Sequence, residues 1–312
     1  MLKLHSIEEK HVFDLVTAGH FSIDLILSPK IASPKPTLGG SPTYASLAAK
    51  KLGAKVSVIS KVGEDFRDEY VTWLSTSGVD LSGLKRVNGA STTSFILKYT
   101  KGGRKLQLRS RAPSINPEDI PDSMRAKAVH VAPIAGEVTP ETINKLRNMT
   151  NILSLDPQGF VRQFDENGNV NLKKWEDPQV LGQIDVYKSS TNEIKKITGL
   201  TNLQSAMKKI HEYGAKIVMV TKGLRGSSLF FEGSFHDVPA CKPRVVQDST
   251  GAGDAFIGAF LAEYVQGKDA LWCACVGSAA ASYVTEGVGP AVFGDMEGIY
   301  ERANKICVQG KP

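Results

Sequence analysis

Tryptophan, cysteine and long apolar runs are all scarce in this chain. Three Trp and an aromatic share of 7% leave little material for the mixed basic and aromatic surface of a nucleic-acid binder. Lys and Arg are spread along the chain without a long basic block, so no nucleic-acid partner is expected. The four cysteines (Cys241, Cys273, Cys275 and Cys307) form no CxxC pair, and no His stands at zinc-ligand spacing from them. Cys273 and Cys275 fall in an apolar, helical-looking stretch, where free thiols act as small core residues. A reducing compartment is the simplest reading. No apolar run approaches the length of a membrane span, and the opening MLKLHSIEEKH has no apolar centre. The protein is therefore expected to be cytoplasmic, with no membrane partner. Several nucleotide and metal motifs are missing as well. There is no GxxxxGK[ST], no protein-kinase catalytic loop with its Asp-Phe-Gly, and no HExxH. The first strand runs into His20-Phe21-Ser22 rather than GxGxxG, which argues against a dinucleotide enzyme.

What is present suits one large soluble α/β unit. The chain has 312 residues, 41% hydrophobic and 22% charged, with a net charge of +6. The positive balance favours anionic ligands, although a solvated surface explains it equally well. Apolar β-branched runs predict strands over 12–18, 55–60, 128–132, 152–155, 186–189 and 217–221. Helical patterns cover 42–52, 66–76, 140–149, 203–213, 252–266, 270–283 and 295–305. Such alternation implies a mainly parallel sheet with helices on both faces. Two segments break it: the extended, proline-bearing 24–38, and a hairpin of 92–99 with 104–111 around Lys101-Gly102-Gly103. Together they predict a small β lid over the strand ends, where open α/β sheets bind ligands. The whole of 1–312 reads as a single domain, with lid segments at about 24–38 and 91–112.

The most informative stretch is VVQDSTGAGDAFIGAFLAEY. A strand-like end runs into Asp248-Ser249-Thr250, then Gly251-Ala252-Gly253-Asp254, then an amphipathic helix. Glycines permit a tight turn with bare N–H groups, and the first N–H groups of a helix have no internal partner. Gly251, Ala252 and Gly253 can therefore form an anion hole. Asp254 lies beside it in the first helical turn, where a carboxylate can take a proton from an incoming hydroxyl. A plain helix N-terminus would carry such an Asp too.

This stretch resembles the signature Asp-x-Thr-Gly-Ala-Gly-Asp of the ribokinase-like (PfkB) carbohydrate kinases, and the resemblance runs from about residue 12 to about residue 305. It implies a ribokinase-like three-layer α/β/α sandwich, with a mainly parallel central sheet and a small β lid. It implies an ATP-dependent phosphotransferase acting on a small alcohol, with Mg²⁺ required and K⁺ a further candidate ion. Asp254 would be the catalytic base, with Gly251, Ala252 and Gly253 as the anion hole. Asp248 would shape the loop and a monovalent-cation site.

Other segments extend the resemblance. TAGHFSIDLI places a substrate-binding carboxylate at Asp24. LGGSPTYASLAAKKLG matches the Gly-Gly signature at Gly39-Gly40, but Tyr44 stands where the family usually has Asn. That departure points away from a ribose or fructose pocket. YKSSTNEIKKITG resembles the Asn-x-x-Glu segment. Glu193 would orient water on a phosphate-borne Mg²⁺, with Ser190 in place of the Asn. Lys188, Glu193, Thr221, Lys222, Gly223, Gly226, Gly251 and Gly253 are the positions assigned to the cofactor. LDPQGFVR, with Asp156, Gln158, Gly159 and Arg162, resembles a subgroup that includes inositol and nucleoside kinases. Arg109 and Arg111 share a face of the predicted lid strand. They would contact an already phosphorylated substrate if that face looks into the cleft, and solvent otherwise. His130, inside an apolar strand, reads as a satisfied core residue. The substrate expectation is a cyclic polyol such as myo-inositol, then a nucleoside, then ribose or fructose. A non-catalytic sensor on the same fold is the alternative class, although a sensor needs no base. Exposed lid edges offer a surface through which two subunits could pair.

Overall fold

Alternating apolar positions along each core strand dictate a sheet with two buried faces, and the structure has one. It is a computed structural model that describes residues 12–100, 103–176 and 178–307. The first strands are β1 (Val12–Ala18), β2 (Ser22–Leu27) and β3 (Pro36–Gly39), followed by α1 (Ser41–Lys51). Next come β4 (Val56–Gly63), α2 (Asp68–Thr76), β5 (Val79–Val87), β6 (Thr93–Thr100) and β7 (Gly103–Ser110). The middle of the chain forms β8 (Arg125–Val131), α3 (Pro140–Arg147), β9 (Thr150–Leu155), the short α4 (Gln158–Val161), β10 (Arg162–Phe164) and β11 (Val170–Leu172). It continues as β12 (Val186–Ser190), α5 (Thr191–Thr198), α6 (Leu203–Glu212), β13 (Ile217–Thr221), β14 (Ser227–Phe231) and β15 (Ser234–Val238). Three helices close it: α7 (Ala252–Tyr264), α8 (Ala270–Val284) and α9 (Met296–Cys307).

Nine strands form the main sheet in the order β15-β14-β13-β12-β9-β8-β1-β4-β5. Its pairs from β12–β13 through β4–β5 are parallel, and the β13–β14 and β14–β15 pairs are antiparallel. Leu15, Val58, Ala128 and Met219 face one way, against α1, α7, α8 and α9. Their neighbours Val16, Ile59, Val129 and Val218 face the other, against α3, α5 and α6. Period-2 alternation thus builds both cores, each large side chain contributing roughly 1.5–3 kcal/mol on burial. A second sheet, β3-β2-β6-β7, forms the expected lid with its own cluster of Ile26, Phe95 and Leu97.

Four expectations need correction. The helix expected from residue 66 begins at Asp68, because Phe66 is buried in the preceding turn and stacks on Phe21. The lid does not have a fully open edge at β7. The hairpin β10–β11 of the same chain bridges it at Gln107–Asn169, and the Leu108 N–H donates to the Gly168 carbonyl at 2.8 Å. Cys275, expected as a free core thiol, is bonded to Cys307, which ties α8 to α9, while Cys273 is free and buried. His130 is satisfied at one ring nitrogen only, Nδ1 lying 3.0 Å from Ser154 Oγ and Nε2 having no partner. Burial pushes its pKa down to about 3, so the ring is neutral. The turn Lys101-Gly102 and the N-terminal stretch lie outside the described residues. Among the described residues no helix is long and apolar enough to cross a membrane.

Candidate active site

The turn before α7 has the form its glycines require. Gly251, the N-cap, is left-handed at φ 76°. A Cβ there would sit 2.2 Å from ring carbons of Tyr44, so both backbone and space demand glycine. A Cβ on Gly253 would stand 2.8 Å from Lys188 Nζ. Among the described residues the N–H groups of Gly251, Gly253 and Asp254 have no protein acceptor, and that of Ala252 makes only a long contact of 3.4 Å to Ser249 O. These N–H groups and the positive end of α7 face one point. Lys188 lies beside that point, paired with Asp156 at 2.6 Å. Burial disfavours its charge, but Asp156, Asp254 and Glu193 outweigh that and hold its pKa above the ordinary lysine value. The site thus carries a permanent cation next to the bare amides.

Asp254 lies half-buried in the first turn of α7 and forms one wall of a small cavity. Gln158 Nε2 donates to Asp254 Oδ1 at 3.4 Å and to Ser41 Oγ at 2.9 Å, and Gln158 Oε1 accepts from Arg162 Nη2 at 2.5 Å. Arg162 is itself fixed by the Ile134 carbonyl at 2.8 Å. The cavity measures about 70 Å³ and is lined also by Ser22, Asp24, Tyr44, Phe95 and Arg104. Of the residues that line it, Asp24 Oδ1 and Tyr44 OH are buried polar atoms with no hydrogen bond of ordinary geometry, and the Ser22 hydroxyl lies against the Asp24 carboxyl. Each such atom costs about 1–3 kcal/mol unless something binds it. Burial pushes the Asp24 carboxyl up to about 7, against the pull of the Ser22 hydroxyl first, then of Arg104, the Phe95 backbone and Arg162. Burial, then the carboxylates of Asp24, Asp248 and Asp254, raise the Tyr44 phenol well above its ordinary value, so its hydroxyl stays protonated. Gly39 stands against the same carboxylate: a Cβ there would lie 2.1 Å from Asp24 Oδ2. Gly40, at φ 87°, would meet the His20 carbonyl at 2.3 Å.

On the other side of this turn lies a larger cavity of about 570 Å³, lined by Thr221, Gly223, Leu224, Gly226, Val246, Phe256 and Ala281 among others. Gly226 needs its missing side chain, since a Cβ would lie 2.1 Å from Val238 O. Arg104 lines both cavities.

Not every expected position joins this site. Lys222 turns away, its Nζ bonded to Asp237 at 2.6 Å and Ser228 at 2.8 Å. Glu193 forms a capping box at the start of α5, its Oε2 accepting from Ser190 N at 2.7 Å and Ser190 Oγ at 2.6 Å. Arg109 and Arg111 are exposed, and Arg111 packs over the Phe164 ring. The cleft face of β7 carries Arg104 and Leu106 instead. Asp248 is buried in the loop: Oδ1 accepts from Thr250 N at 2.9 Å, Thr250 Oγ1 at 2.7 Å and Tyr99 OH at 2.6 Å. Its Oδ2 accepts from Gly289 N at 3.2 Å. Sequence reasoning missed Ser22, Ser41 and Arg104. Ser22 was within reach, because it shares a strand face with Asp24. Arg104 was not, because which face of a hairpin looks inward is fixed by docking.

A carboxylate beside bare amides, set between two cavities under a lid, is an arrangement that can pass a phosphoryl group to an alcohol. Residues 12–293 match the pfkB family carbohydrate kinase model, and the chain belongs to that family. It is 30% identical over 276 residues to a cytidine kinase of Thermococcus kodakarensis, covering 85% of this chain and 94% of that one. It is 27% identical to an inositol 3-kinase of Oryza sativa subsp. japonica, covering 82% of this chain and 64% of the relative. A solved pyrophosphate-dependent kinase of the ribokinase family, complexed with a pyrophosphate analog and myo-inositol, superposes with a TM-score of 0.77 at 27% identity, covering 88% of this chain and 96% of the other. The chain is thus a small-molecule kinase of the ribokinase fold that transfers phosphate to a hydroxyl.

Proposed function

We propose that residues 1–312 work as one unit, with lid segments at about 24–38 and 91–112, that transfers the γ-phosphoryl group of ATP to a small cyclic polyol, with myo-inositol the first choice. The observation that carries this reading is the polar lining of one small cavity next to Asp254, where Ser22, Asp24, Ser41, Gln158 and Arg104 meet Tyr44. A ring of hydroxyls satisfies such a set, and an apolar ligand does not. Asp254 takes the proton of the hydroxyl that faces it, with Gln158 holding the carboxylate in place. The bare amides at 251–254, Lys188 and Arg104 then meet the charge of the moving phosphoryl group.

The wall of the larger cavity favours a nucleotide as phosphoryl donor. Its volume and apolar lining suit a nucleoside, which inorganic pyrophosphate lacks. Among the described residues no three His, Cys, Asp or Glu side chains cluster as metal ligands. A Mg²⁺ would come with the donor phosphates, and Glu193 would reach it through water once its capping bonds to Ser190 are shared. When bound, the ion would neutralise phosphate charge. A second reading, a pyrimidine nucleoside as acceptor, is supported by the resemblance to the cytidine kinase.

The test is a panel of myo-inositol, cytidine, ribose and fructose, each with ATP and with pyrophosphate. Myo-inositol with ATP should give the highest kcat/KM, read as ADP release. Turnover confined to cytidine moves the assignment to the nucleoside, and turnover only with ribose or fructose rejects both. Turnover with pyrophosphate alone rejects the nucleotide.

Asp24 gives a second expectation. Its carboxyl is neutral below about 7 and ionised above. The ionised form accepts through both oxygens and about twice as strongly as the neutral one, so the acceptor KM should fall as pH rises through about 7. Asp24→Asn should flatten that profile. In the ligand-free protein the sign reverses. The unfolded chain releases this proton first, so stability declines as pH rises from the ordinary carboxylate range towards 7. A KM that is flat across neutral pH in the wild type removes Asp24 from acceptor binding.

A further inference from the structure

The lid and the anion-hole loop are joined by one phenol. Phe95, Leu97 and Tyr99 alternate along β6, and the first two line the acceptor cavity. Tyr99, nearest the lid tip, reaches past the cavity to the loop before α7. Its hydroxyl donates to Asp248 Oδ1 at 2.6 Å and accepts from the Ser249 N–H at 3.2 Å. It also lies 3.2 Å from Ser249 Oγ and 3.4 Å from Thr250 Oγ1. Across the hairpin, Tyr99 is the register partner of Arg104, the residue shared by the two cavities. The same Asp248 carboxylate takes Gly289 N on its other oxygen, and Gly289 packs against Thr37 of β3. A separate tie runs from Lys30 Nζ to the Val246 carbonyl at 2.6 Å.

We infer that Tyr99 is a positioning residue for phosphoryl transfer: its hydroxyl locks the lid tip to the Asp248-Ser249-Thr250 loop, so that Arg104 and the bare amides at 251–254 are set by a single closure. Asp248 already holds the loop internally through Thr250. A lid-borne donor on that carboxylate makes the loop's geometry depend on where the lid sits. An open lid removes the Tyr99 bonds and takes Arg104 away together with them. Phosphoryl transfer before an acceptor is enclosed is thereby suppressed. This inference rests on the kinase site and is independent of which alcohol fills it.

Tyr99→Phe tests it, since the ring stays and only the hydroxyl goes. In the ligand-free protein, amide hydrogen exchange over 248–250 should accelerate by about fivefold to tenfold, the loss of roughly one hydrogen bond. Exchange in β1, β8 and β12 should not change. That arm needs no substrate, so it stands even if the polyol reading fails. With the alcohol the wild type accepts best, kcat should fall about tenfold while the acceptor KM stays within about twofold. In an Asp248→Asn background, Tyr99→Phe should have little further effect, because the two groups act as one. Unchanged loop exchange overturns the inference. So does a raised KM with kcat intact, or additive losses in the double variant.

Discussion

Asp254→Asn should lower kcat by about 10²–10⁴-fold, the usual worth of a positioned general base, with the KM for the phosphoryl donor held within about twofold. The substitution keeps the size and shape of the side chain. Its amide can still meet Gln158 Nε2 through oxygen, the contact that lies at 3.4 Å in the wild type. What it loses is the ability to take a proton. The amides at 251–254 and Lys188 remain to meet the donor phosphates, so donor binding survives. Single-turnover transfer to the accepted alcohol, beside equilibrium binding of ATP, separates the two effects. Turnover within about tenfold of the wild type would remove Asp254 from the base role and leave it as a helix-terminal charge.

Gly251→Ala should cost turnover and stability together. At φ 76° an L-residue pays about 1–2 kcal/mol, and the new Cβ would fall 2.2 Å from Tyr44 ring carbons. Either the turn opens or the ring moves out of the acceptor wall, at a further cost of about 1–3 kcal/mol. Both movements pull the amides off their common target. Losing one such hydrogen-bond donor typically costs about 10²–10³ in kcat. Urea unfolding should show the stability loss, and kcat under folding conditions should show the rest. A destabilised variant with full turnover would mean that this turn holds the helix and nothing else.

Tyr44 illustrates how one side chain fills a pocket wall. Its ring occupies the space that Gly251 leaves empty, and its hydroxyl ends unpartnered beside Asp24. The sequence marked Tyr44 only as a departure from a family pattern. Its contribution to the acceptor wall needs α1 docked against α7. Lys188 and Asp156 show the same limit. Lys188 lies on β12 and Asp156 just past the end of the adjacent β9, and no local pattern joins them. Glu193 shows the converse. Its helix-capping role could be read from Ser190 three residues earlier, and the structure makes those bonds. Lys222 looked equally suited to a phosphate, yet it points to a neighbouring strand, because β14 and β15 bring Asp237 within reach.

What the sequence determined by itself was whatever depends on near neighbours. Alternation gave the strands, glycines gave the turn at 251–253, and the helix that follows gave the bare amides beside Asp254. These follow from backbone sterics and from hydrogen bonds that close over three or four residues. Only the tertiary structure decided the depth of Asp24, the place of the exposed Arg104 at the rim of both cavities, the Cys275–Cys307 bond and the reach of Tyr99 to Asp248. Each of these depends on which surfaces meet when layers pack, and distant segments meet only once the chain has folded.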